Sequence, residues 1–160
     1  MRKIDHLLLA YGESHQHPTN KAVHWLCVPA IMFSLLGLLW HVPAGPLQWL
    51  PGLADQPLAN WSVVLLLAAS IYYIRLSIPL FLGMLLISAA LIYGHLQLST
   101  LGGSSHVWVS LGIFAVAWVG QFIGHHIEGK KPSFIKDVQF LLIGPAWLMH
   151  FIFKKIGISY

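Results

Sequence analysis

The chain has 160 residues, 57% of them hydrophobic and only 9% charged, and its mean hydropathy is +0.71. Soluble domains carry about 25% charged residues, so the chain reads as a single integral membrane domain over 1–160, and its small, scattered charge of +4 excludes nucleic-acid binding. One cysteine, Cys27, excludes an intrachain disulfide, while ten histidines outnumber the nine lysines and arginines and call for partners, because lipid tolerates such side chains poorly.

The first twenty or so residues read as a mostly polar lead, too long and too polar for a secretory signal. In "SHQHPTNKAVH", Pro18 suits the first turn of a helix with His17 near its cap. Asn20 and His24 then lie one turn apart on one face, and His15 can fold back toward them. The first span follows at 23–41, and a Pro/Gly-rich loop with Trp49 at the interface comes next. A second span, 58–74, is separated by "RLSIP" from a third, 78–98; a turn at 99–106 leads to the fourth, 107–124. The second and fourth are short for a bilayer. A fifth apolar stretch, 138–153, is followed by Lys154 and Lys155 and reads as a re-entrant or interfacial helix. The expected fold is therefore all-α, four transmembrane helices plus that C-terminal helix.

Positive charges sort the loops. Arg2, Lys3 and Lys21 precede the first span, Arg75 follows the second, and Lys130, Lys131 and Lys136 follow the fourth. This alternation predicts cytoplasmic termini. A bacterial inner membrane suits so compact a chain; in a eukaryote the endoplasmic reticulum membrane would be the counterpart. His41, His95 and His106 then fall at the outer edge, each alone there, and read as hydrogen-bonded interfacial side chains. His15, His17, His24, His125, His126 and His150 fall at the inner edge, from three separate stretches. Such convergence is what a metal site needs.

In "QFIGHHIE", Gln121, His125 and Glu128 share one helical face, and His126 points about 100° away. His125 is thus the better ligand, with His126 and His17 in a second tier. Gly124 lets another helix approach. Imidazole suits iron, zinc, copper or nickel, and the Glu128 carboxylate leans the set toward non-haem iron. No CxxC or HExxH is present. Asn20 and Gln121 fit the role of orienting ligand rings, and Lys130 and Lys131 can attract an anionic head group. Other readings of the same residues are a lipid hydroxylase or hydrolase, with two metals if all the inner donors serve, a haem held by His24 and a histidine at 125 or 126, and a pH-sensing scaffold.

The segments "YGESHQHPTNKAVHWLCVP" and "WVGQFIGHHIEGKKPSFIKDVQFLLIGPAWLMH" resemble the Mpo-type 2-hydroxy fatty acid dioxygenases, a small multi-pass membrane family. The middle spans match only in hydropathy. The resemblance implies an Fe(II)-dependent, non-haem dioxygenase that uses O₂ to shorten 2-hydroxy fatty acids by one carbon. Carried over, His15 and His24 match the first motif's histidines with Asn20 between them, and His125, Gln121 and Glu128 match the second motif. His17 stands where the family often has asparagine, and His150 where some members carry an acidic residue, which makes it the fourth ligand implied. The expected partners are a 2-hydroxy fatty acid, O₂ and membrane lipid, with self-association left open.

Overall fold

The computed structural model describes residues 1–49, 52, 56–100, 104–135 and 137–160. Parts of the Pro/Gly-rich loop, the centre of the 99–106 turn and Lys136 lie outside the described residues. Six α-helices follow in order: α1 Lys3–Gly12, α2 Pro18–Trp40, α3 Trp61–Leu76, α4 Ile78–Ser99, α5 Ser105–Glu128 and α6 Phe140–Ile156. Short 3₁₀ turns occupy Gly45–Trp49 and Ser133–Ile135, and no strand occurs among the described residues.

Three helices, α2, α4 and α5, are long and apolar enough to cross a membrane. With 16 residues, α3 is shorter than that. Of the four expected spans, three are helices of span length and the second is the shorter apolar helix α3.

The helix ends follow local chemistry. Pro18 occupies the first turn of α2, and the His17 ring accepts the Thr19 N–H at 3.2 Å. Ser77 caps α4 in the same way, immediately before Ile78 and Pro79. Gly129 ends α5 at φ 71°, a left-handed conformation that suits glycine.

The closest seam joins α2 to α5. A Cβ at Gly120 would sit 2.7 Å from Cys27 Sγ, and one at Gly124 would sit 2.4 Å from Asn20 Oδ1. Small residues let these backbones approach, as the sequence suggests for Gly124. Gly120→Leu is expected to destabilise the protein by about 1–3 kcal/mol through overpacking, seen as a lower unfolding midpoint in detergent. An unchanged midpoint would mean that the seam has slack.

Two results depart from the sequence expectations. The polar lead contains α1, whose Ile4, Leu8 and Tyr11 are buried at positions that share one helical face, and α1 docks on α6. In turn, α6 is packed inside the molecule rather than lying on a surface: every residue from Ile143 to Met149 is buried. Tyr73 of α3 donates to the Leu142 carbonyl at 2.7 Å, tying α6 to the bundle.

At the far end of α2 and α5, the three outer histidines are not alone. His95 and His106 are buried with ring nitrogens 2.9 Å apart, and the His41 ring lies 4.6 Å from that of His106. His95 donates its other N–H to the Phe33 carbonyl at 2.8 Å. Hydrogen bonding satisfies His95, as expected, through His106 of α5 and the Phe33 carbonyl of α2.

Candidate metal centre

His15, His24 and His125 come together at the end of the bundle where α2 begins and α5 ends. Each offers a ring nitrogen, and these nitrogens lie within 4.8 Å of one another. All three side chains are buried. No other group of three metal-ligating side chains meets among the described residues.

Their tautomers follow from their partners. His15 Nδ1 lies 2.6 Å from the Tyr11 carbonyl, and His24 Nδ1 lies 2.9 Å from the Asn20 carbonyl. A carbonyl only accepts, so both Nδ1 atoms carry the proton and both Nε2 atoms carry a lone pair. Those two Nε2 atoms face each other at 2.9 Å. Two lone pairs at that distance repel unless a cation stands between them. A first-row metal holds imidazole nitrogen at about 2.1 Å, so two nitrogens a right angle apart on one ion are separated by about 3 Å. Donation of the distal N–H to a backbone carbonyl is also the usual way a ligating imidazole is oriented. His125 adds a third nitrogen donor, and its Nδ1 is buried without a hydrogen-bond partner. The residues fit a metal ion.

A proton would be a poor substitute for the metal. Burial first, and then the neighbouring His24, pushes the pKa of His15 down from 6.5 to about 3. An unfolded histidine protonates near 6.5. In the metal-free protein this contribution to stability is fully present above pH 6.5 and is lost as the pH falls toward about 3. Thermal melts of metal-free protein between pH 8 and 4 should therefore show a midpoint that drops below pH 6.5, and a flat profile would contradict the buried neutral ring.

Glu128 holds the centre together from outside. Its Oε1 accepts the Gln16 N–H at 2.9 Å, and its Oε2 accepts the His17 N–H at 2.8 Å and the Asn20 amide at 3.2 Å. Asn20 also donates to the Ser14 carbonyl at 3.1 Å. Lys130 donates to the Glu13 carbonyl at 2.6 Å, and Ser14 and Ser133 share a 2.6 Å hydrogen bond. The turn that carries His15 is thus fastened to the end of α5 and to the following 3₁₀ turn.

The other expected site residues are placed as follows. His17 is exposed and caps α2. His126 is exposed, facing away from His125 as its helical position predicts. His150 is not brought to the three histidines; its Nδ1 pairs with the Tyr160 hydroxyl. Lys130 is committed to the Glu13 carbonyl and Lys131 is exposed. Gln121 is buried and faces the cleft described next. Sequence reasoning missed Tyr11, whose ring stacks on His15 with centroids 4.0 Å apart. Its only sequence signal is its place in the Ile4, Leu8, Tyr11 stripe.

A cavity of about 60 Å³ adjoins the centre, with Tyr11, His24, Gln121 and His125 at its polar end. Val28, Ile31, Met32, Phe134, Phe140 and Leu141 give it apolar walls. That volume holds a small polar head and leaves an acyl tail to run out along the walls.

The family model described as "2-hydroxy-palmitic acid dioxygenase Mpo1-like" matches residues 1–156. The chain is 31% identical over 153 residues to the "2-hydroxy-palmitic acid dioxygenase MPO1" of Saccharomyces cerevisiae, covering 92% of this chain and 78% of that protein. No solved structure matches.

Proposed function

Because the chain belongs to the 2-hydroxy-palmitic acid dioxygenase Mpo1-like family, we propose that it is an Fe(II)-dependent dioxygenase that shortens 2-hydroxy fatty acids by one carbon. The observation that carries this reading is the pair of bare Nε2 atoms of His15 and His24, 2.9 Å apart beside His125, at the head of an apolar cleft. The reaction balances without an external reductant: R–CH(OH)–COOH + O₂ gives R–COOH + CO₂ + H₂O. His15, His24 and His125 would hold the ferrous iron, which when bound would supply the means to activate O₂ beside the acid.

The protein's own groups do the rest. Backbone carbonyls fix the rings of His15 and His24, and Glu128 fixes the turn that bears His15. The cleft walls exclude water around the first carbons of the tail. Lys131, exposed beside this end of α5, adds positive charge that draws an acid toward it. Four membrane crossings, with the centre at the cytoplasmic edge and α3 thinning the bilayer around it, keep the tail in lipid while the head reaches the histidines. In this reading His15, His24 and His125 are the donors and Glu128 orients the turn that carries His15.

The test is an assay of anaerobically purified, Fe(II)-loaded protein with carboxyl-¹³C-labelled 2-hydroxypalmitate. One O₂ should be consumed for each pentadecanoate and each ¹³CO₂ formed. Hydrolysis products, or no O₂ uptake by iron-loaded protein, would sink the reading.

A further inference from the structure

A fatty acid and its 2-hydroxy derivative share a carboxylate and a tail. A site that acts on the second must recognise one neutral hydroxyl. The polar groups on the cleft are Tyr11, His24, His125, Gln121, Ser133 and the Trp118 Nε1–H, the last buried without a partner. His24 Nδ1 is bound to the Asn20 carbonyl and the Ser133 hydroxyl to Ser14. The Tyr11 hydroxyl has no hydrogen-bond partner among the described residues, yet it borders the cleft beside Gly144. A Cβ at Gly144 would lie 3.0 Å from the Tyr11 hydroxyl oxygen, so glycine there leaves the hydroxyl its place. The rest of Tyr11 is committed to His15: its ring stacks on the imidazole, and its carbonyl accepts the Nδ1 proton. The hydroxyl is therefore held at a fixed position beside the centre.

Resting on the function proposed above, we infer that the Tyr11 hydroxyl binds the substrate's 2-hydroxyl group and sets the preference for 2-hydroxy acids over unsubstituted ones. A neutral phenol both donates and accepts, which matches a neutral alcohol. A site built to pair a substrate hydroxyl discriminates strongly against the analogue that lacks it.

Tyr11→Phe keeps the ring stack and the backbone carbonyl and removes only the hydroxyl. Binding of 2-hydroxypalmitate and of palmitate should be measured without O₂, on Fe(II)-loaded wild type and Y11F, by displacement of a fluorescent fatty acid. The expected result is that wild type prefers the 2-hydroxy acid and that Y11F loses about tenfold or more of that preference. Palmitate affinity and bound iron should stay unchanged. The inference is overturned if Y11F retains the preference, if wild type shows none, or if Y11F weakens both acids equally while losing iron. Should wild type show the preference and Y11F lose it while no O₂ is consumed, the Tyr11 assignment stands and the dioxygenase reading falls.

Discussion

His24→Ala is expected to lower bound iron to below about a tenth of the wild-type content and activity by more than about 100-fold, beyond the loss typical of an altered partner around a metal. Its Nε2 stands 2.9 Å from that of His15, and nothing else among the described residues supplies a lone pair at that place. The loss should be chemical rather than architectural. In the metal-free chain the two facing lone pairs repel, so removing one relieves strain while opening a cavity, and the metal-free melting midpoint should move little. His24→Gln offers a smaller cavity and should lose iron equally. His150→Ala is the matched comparison: its ring pairs with Tyr160 and it is not one of the three grouped histidines, so iron should remain. Near-normal iron and activity in His24→Ala would remove the basis of the site assignment.

The second large effect is expected at Glu128, which would touch no metal. Replacement by Ala removes the acceptor of two backbone N–H groups and of the Asn20 amide. Hydrogen bonds to a charged group are worth about 1.5–3 kcal/mol each, and altering groups that orient ligands weakens metal binding about 10–100-fold. Glu128→Ala should therefore raise the iron concentration needed for half-maximal loading by about that factor. It should also expose the Gly12–His17 turn to limited proteolysis. Glu128→Gln keeps an acceptor oxygen and should fall between the two. A direct ligand would behave otherwise: saturating iron would leave its coordination spectrum altered, whereas a clamp mutant should recover the wild-type spectrum once loaded.

Much of this centre can be read in the sequence because its parts are helical and locally spaced. Asn20 and His24, and Gln121, His125 and Glu128, meet because residues one or two turns apart share a face. Pro18 marks where α2 begins, and the exposed His126 follows from the same periodicity. What could not be read depends on contacts between segments distant in the chain. Glu128 reads in the sequence as a second-tier ligand or an orienting residue, and its bonds to the Gln16 and His17 N–H groups depend on contacts between the two ends of the chain. Tyr11 belongs to a helix hidden in a polar lead, and His150 was separated from the centre by how α6 packs. The pairing of His95 with His106 likewise required α4 and α5 to be seen side by side. A re-entrant or interfacial helix was expected at 138–153 because lysines follow it; its packing against α1 and the Tyr73 hydrogen bond could not be read from the sequence.

The hold of Glu128 on the turn before α2 spans 112 residues of sequence. A ribosome therefore delivers His15 and His24 long before it makes the carboxylate and the third imidazole that complete their setting. The three-histidine centre cannot form while only α1 and α2 exist. Any ion the three histidines take up is therefore expected to enter only after α5 has been made.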